Sequence, residues 1–381
     1  MMGEVFEPIW VAGFMSGTSL DAVDAALIKT DGETVFEFGP AVERKYDGAE
    51  RAILQAATDA ARAWNWTGAR PEEAFHAARK IIVLSHFEAW QNLMLKVDET
   101  GGKRVPIVAA LCGIHGQTVL HRRPTETTPG ATLQLIDGPA LAAKIGLPVA
   151  HDFRSADIAA GGEGAPLAPA YHGALLEKFS GGSSVALNLG GVANITARLS
   201  DGSLAAFDTG PANGPIDEWV AQHDRGLCDL GGAFAAAGHV SEDLLAHLTR
   251  HRWFSEAPPK SLDRYDFSAR MVSDLSFEDG AATLTAFSAR AVALGVAQLP
   301  EVPERVIACG GGRHNPVLMA MLAEALPCRL LSAEQAGWRG DSLEAEAFAF
   351  LAVRTLRGLP ISWPGTTGVS AAMTGGVVAR P

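Results

Sequence analysis

Two stretches of this chain repeat one order of elements, and that repetition restricts the possible folds more than any other feature. Residues 9 to 42 read as an apolar strand (Ile9, Trp10, Val11) and a connection of Gly, Ser and Thr from Gly13 to Ser19. An alternating strand follows through Val23, Ala25 and Leu27, then an Asp31-Gly32 turn and a third strand, Thr34 to Val42. From residue 185 the order recurs: strand (Val185 to Leu189), Gly190-Gly191, strand (Ala193 to Leu199), Asp201-Gly202, strand (Leu204 to Phe207). A helix-competent segment follows each triplet. The pattern predicts an α/β chain with a duplicated βββα core, two sheet-and-helix halves facing each other across a central cleft. At 381 residues two domains are the default. They are expected at 1–150 and 151–381, with the last segment free to return to the first.

Composition narrows the function. Hydrophobic residues at 48% and charged residues at 19% describe a globular chain with an ample interior. A formal charge of −12 and the lack of a dense Lys/Arg stripe argue against a nucleic-acid partner, so a small anionic ligand must be caught by local donors. Cys112, Cys228, Cys309 and Cys328 form no CxxC pair, which predicts reduced thiols and a cytoplasmic address. No apolar run is long enough to span a bilayer, and the start of the chain lacks a basic leader. No GxxxxGK[ST], GxSxG or HExxH motif is present, so a P-loop enzyme, a serine hydrolase and a zincin are disfavoured.

The residues able to do chemistry cluster at turns. Glycine in the first connection lets backbone amides approach a ligand, and Ser and Thr hydroxyls add donors for phosphate oxygens. Asp21 and Asp24 just beyond it suit a site that also handles Mg²⁺. His115, Gln117 and Thr118 follow a buried strand, Ile107 to Cys112, at the carboxyl end where open α/β sheets place ligands. Asp152, Arg154 and Asp157 crowd a Gly-rich loop that reads as a substrate-lining crossover. Asp208, followed by Thr209-Gly210-Pro211, is expected at a strand tip, pointing out of the sheet. Gly310-Gly311-Gly312 sits between a strand ending at Cys309 and a helix beginning at Pro316, an arrangement suited to a nucleotide's base or ribose. Glu344 and Glu346 fall in the first turn of a helix, Ser342 to Arg357, where the macrodipole favours carboxylates. On the helix from Pro71 to Val97, Phe75, Ile82, Phe87 and Leu93 read as core.

Taken in order, Gly13-Phe14-Met15-Ser16-Gly17-Thr18-Ser19-Leu20-Asp21, His115-Gly116-Gln117-Thr118, Asp152-Phe153-Arg154, Gly164-Ala165-Pro166-Leu167, Phe207-Asp208-Thr209-Gly210-Pro211 and Cys309-Gly310-Gly311-Gly312 resemble the anhydro-N-acetylmuramic acid kinase family over nearly the whole chain. The resemblance implies a two-domain actin/hexokinase-like (ribonuclease H-like) fold. It also implies a reaction in which ATP, water and 1,6-anhydro-N-acetylmuramic acid give ADP and N-acetylmuramic acid 6-phosphate, in peptidoglycan recycling. Asp208 matches the family's base for the attacking water. The segment Gly17, Thr18, Ser19, Leu20, Asp21, Ala22, Val23, Asp24 matches its ATP-phosphate loop, with Mg²⁺ completing the clamp. From pattern, Gly190 and Gly191 are expected to approach ATP, and Gly310, Gly311 and Gly312 to receive the adenosine. Glu344, by family analogy, and His115, Gln117, Arg154 and Asp157 are the candidates for holding the sugar. A homodimer is expected. Ala22 stands where many relatives have Gly, and Ala156 where an Arg is frequent, which bears on sugar contact. The competing readings are a levoglucosan-type or other anhydrosugar kinase, a non-catalytic nucleotide-gated binding protein, and a hydrolase that opens the ring without ATP.

Overall fold

The first glycine-punctuated triplet folds as an antiparallel meander in the computed structural model, which describes residues 6–17, 19–100, 107–125, 127–179, 181–262 and 266–381. Strand β1 (Ile9–Ser16) pairs with β2 (Ala22–Thr30), and β2 with β3 (Val35–Lys45). On its other side β1 runs parallel to β4 (Ala109–Ile114). Strands β5 (Gln117–Arg122) and β6 (Ala131–Leu135) form a separate hairpin, while β7 (Val149–His151) lies parallel to β4. The edge is closed by β13 (Val377–Ala379), antiparallel to β7.

The second triplet repeats this plan. β8 (Ser184–Leu189), β9 (Val192–Arg198) and β10 (Leu204–Pro211) form an antiparallel meander. β11 (Arg305–Cys309) lies parallel to β8, and β12 (Arg329–Ser332) parallel to β11. The strand orders are β13-β7-β4-β1-β2-β3 and β10-β9-β8-β11-β12. Apart from β13, each is a meander extended by parallel strands beyond its first strand. The duplicated α/β core expected from the glycine spacing is present.

The chain forms two compact units, residues 1–175 with 342–381 and residues 176–341. The division falls after Leu175 rather than after residue 150 for a physical reason. β7 is still a strand of the first sheet, and Asp157 beyond it is tied to Ser362 and Thr367 of the returning segment. In the first unit Phe14, Leu27, Phe75, Ile82 and Leu93 are completely buried, and Phe87 packs at the margin of that core. The helix Leu343–Arg357 rests directly on this sheet. A Cβ at Gly13 would strike the carbonyl of Ala345, and one at Gly113 the carbonyl of Phe348. Among the described residues, no helix is long and apolar enough to cross a membrane.

Candidate functional site

In the first unit the expected site residues gather at the carboxyl ends of β1, β4 and β7. The β1–β2 connection is a braced turn. Leu20 adopts φ +56°, its N–H donates to Gly17 O, and its carbonyl accepts from Arg51 Nε at 3.0 Å. Asp21 Oδ1 accepts from Ser19 Oγ at 2.7 Å and from the Ala22 N–H at 2.9 Å, so this carboxylate shapes the turn. Leu20, Ala22 and Val23 bury their side chains, leaving only backbone for a ligand, while Asp24 on β2 is half-buried. Gln117 is buried behind the loop and donates from Nε2 to Gly17 O at 3.1 Å, which makes it a brace for the loop. Thr18, expected in the same loop, lies outside the described residues.

His115 and Arg154 meet directly. Arg154 Nε donates to His115 Nε2 at 3.0 Å and Nη1 to Gly164 O at 2.6 Å. A ring nitrogen that accepts from guanidinium belongs to a neutral imidazole, so the His115 proton sits on Nδ1. Burial, reinforced by the Arg154 charge, holds His115 well below the usual histidine range. Arg154 is lowered to about 10 by desolvation, opposed by the charges of Glu344 and Asp157, and stays a cation at neutral pH. Glu344 is open to solvent yet crowded: desolvation raises its carboxyl, and Arg154 pulls the other way. Its neighbour Glu346 is fully buried and accepts a hydrogen bond from Tyr171 OH.

Asp157 does not join this group. Its Oδ1 accepts from the Gly164 N–H at 2.6 Å, and its Oδ2 from Ser362 Oγ and Thr367 Oγ1 at 2.5 and 2.6 Å. With 1% of its surface exposed it knots the Gly-rich loop to the returning segment and has no face for a sugar.

Buried histidines give the first unit a pH signature. Burial holds His86 and His172 at about 4 and keeps His115 well below the usual histidine range. In the unfolded chain each titrates near 6.5, so below that pH the unfolded state binds protons that the folded state refuses. Stability is therefore full above about pH 6.5 and falls as pH drops, by up to about 1.4 kcal/mol per pH unit for each of the three. The urea midpoint is expected to be clearly lower at pH 5 than at pH 7.5. An equal or higher midpoint at pH 5 would contradict this account.

In the second unit the expected residues again collect at one end of the sheet. Asp208 is not at a strand tip: β10 continues to Pro211, and the register with β9 breaks between Asp208 and Gly210. This bulge, with Gly210 at φ +146°, re-aims the strand next to Asp208. Asp208 is half-buried; its N–H donates to Lys260 O at 2.9 Å, and its Oδ2 accepts from the Leu262 N–H at 2.7 Å. The carbonyls of Gly190 and Gly191 accept from the amides of Asn213, Ala212 and Gly214, fixing their turn to the start of the helix Asn213–Gln222.

The three glycines after β11 divide by role. A Cβ at Gly310 would collide with Asn188 Oδ1, and one at Gly312 would sit 2.7 Å from Leu189 Cβ; at Gly311 nothing lies within 4 Å. Gly310 and Gly312 permit packing on β8, and Gly311 is exposed. Arg313, missed in the sequence reading, holds this loop: Nη1 donates to Gly310 O at 3.0 Å, and Nε and Nη2 pair with Glu334 and Asp341. Its signal was an Arg directly after the glycines.

Comparison with known proteins bears on the assignment. The family model described as anhydro-N-acetylmuramic acid kinase matches residues 9–380. A protein of that name from Caulobacter vibrioides is 53% identical over 368 residues, covering 96% of this chain and 97% of its own. The proteins of that name from Phenylobacterium zucineum and Rhizobium rhizogenes are 50% and 49% identical, covering 97% and 98% of this chain and 99% and 100% of their own. The chain belongs to the anhydro-N-acetylmuramic acid kinase family.

Proposed function

We infer that this chain is an ATP-dependent kinase that opens the 1,6-anhydro ring of 1,6-anhydro-N-acetylmuramic acid and phosphorylates O6, in peptidoglycan recycling. The observation that carries the reading is the family match over residues 9–380. The chemistry has a natural division of labour. Water attacks the anomeric carbon and gives its proton to Asp208, the bond from that carbon to O6 breaks, and O6 takes the γ-phosphoryl group as ADP leaves. A carboxylate oriented by a main-chain donor, as Asp208 is by Leu262, suits the general-base role.

The Gly17–Asp24 turn is the proposed phosphate loop, acting through backbone amides and Ser19, with Gln117 keeping it in shape. Phosphoryl transfer is chiefly positioning and charge neutralisation, which fits a braced loop. Among the described residues, no group of three His, Cys, Asp or Glu side chains is placed to hold a metal. That donor set fits Mg²⁺ carried mainly by the nucleotide's phosphates, with Asp21 and Asp24 as the carboxylates that would hold it. Bound there, the ion would offset charge on the transferring phosphoryl group. Arg154 and Glu344 are the proposed sugar contacts, and Gly311, with the Gly190-Gly191 turn, the proposed nucleotide contacts. We place the enzyme in the cytoplasm as a homodimer; sedimentation at a monomer's rate would remove the second half of that statement.

Mass spectrometry of the product formed from the anhydrosugar and ATP in ¹⁸O-water tests the whole reading. One ¹⁸O at the anomeric hydroxyl and a phosphate on the same sugar are expected, with no product when ATP is withheld. Ring opening without ATP, or phosphorylation without label, overturns it.

A further inference from the structure

We propose that Lys260 is a positioning residue for Asp208: its ammonium, seated on Trp253, holds the strap Lys260–Leu262 that grips the carboxylate. The proposal rests on the reading of Asp208 as the base and adds the device that aims it.

Asp208 is held twice by one three-residue segment, at its own N–H by Lys260 O and at Oδ2 by the Leu262 N–H. β10 is an edge strand, so these bonds come from a strap with no secondary structure of its own. Such a strap keeps its place only if its side chains are anchored. Leu262 is buried in an apolar cluster with Trp253, Phe254, Phe267 and Phe287. Lys260 is 8% exposed, donates from Nζ to Trp253 O at 3.0 Å, and sits 4.3 Å from the centroid of that indole ring.

Burying an ammonium is unfavourable unless it is well partnered, and an apolar side chain would fill the same space without that penalty. A lysine adds directed donation to one carbonyl and cation–π attraction to one ring, which together fix the strap's position along the cluster. Leu262 adds apolar burial to these directed contacts. A slip of one ångström there would move the Leu262 N–H off Oδ2 and turn the carboxylate, and misplacement on that scale costs about 10²-fold in rate.

The test is Lys260→Met, which keeps an unbranched apolar stem against Trp253 and removes the donor and the charge. Steady-state kinetics with both substrates are expected to show kcat reduced about 10- to 100-fold, with KM for sugar and ATP within about threefold. Amide hydrogen exchange on the same full-length protein is expected to run at least about tenfold faster at Asp208 and Leu262, while β8, β9 and β11 keep their protection. That local loosening is a readout that a general loss of stability would not produce. Lys260→Gln, a milder change with a shorter donor, is expected to show the same pattern at smaller size and carries the test if the Met variant does not fold. Unchanged exchange at the two amides, or loosened amides with kcat within about threefold, overturns the proposal. Asp208→Asn run alongside separates the two ideas. Full turnover there removes the base and its positioning device together. Lost turnover there with normal kcat in Lys260→Met removes the positioning role alone.

Discussion

Asp208→Asn is expected to lower kcat by roughly 10²–10⁴, the span assigned to a lost acid–base group, while ATP binding is retained. The substitution is nearly isosteric, and an amide oxygen can still accept from the Leu262 N–H that now donates to Oδ2. The bulge, the strap and the register with β9 therefore survive, and the loss reports proton transfer rather than shape. Titration calorimetry with a non-hydrolysable ATP analogue would establish binding, and steady-state rates the deficit. A kcat within tenfold of the parent would exclude Asp208 as the base.

Gly13→Ala is expected to have the largest effect on stability. The new methyl would overlap the Ala345 carbonyl and lie 2.5 Å from the Ala349 amide, both backbone atoms of a helix that no rotamer change can move aside. Overpacking of a tight interior typically costs 1–3 kcal/mol, and a backbone obstruction belongs at the upper end, about 3 kcal/mol. The helix Leu343–Arg357 must lift from β1, and its first turn carries Glu344. Weaker sugar binding is therefore expected along with a melting temperature lowered by several degrees. Gly48→Ala is the control, since nothing lies within 4 Å of that position. If calorimetry finds Gly13→Ala and Gly48→Ala melting together, the close contact between helix and sheet is not what holds this unit.

What could be read from the chain and what could not separate along physical lines. The two meanders were legible because apolar strands cut by Gly and Asp-Gly turns are local signals, each complete within a few dozen residues. β7, β12 and β13 are three or four residues long, too short to show an alternation, and exist only because a neighbouring strand supplies their hydrogen bonds. The β5–β6 hairpin was hidden by polar content, Gln117, Thr118 and His121 on one side and Thr132 and Gln134 on the other.

At the site, His115 stands out because it follows a strand and Arg154 because charge crowds a Gly-rich loop, and the structure pairs them. Asp157 looked like a ligand contact because a carboxylate in a glycine-rich loop usually is exposed. The hydroxyls that consume it, Ser362 and Thr367, are more than two hundred positions away, a separation at which no spacing argument operates. The triple glycine also answers a packing demand. Steric need against Asn188 and Leu189 accounts for Gly310 and Gly312, and only coordinates could reveal it.

That the first unit is assembled from residues 1–175 and 342–381 also bears on how the protein is made. A ribosome releases residues 176–341 before it releases the helix that rests on Gly13 and Gly113 or the hydroxyls that cap Asp157. During vectorial synthesis the body begun first is thus the one completed last. Its unfinished sheet waits, in the nascent state, with a bare apolar face, and that interval is when chaperone capture is most useful to this chain.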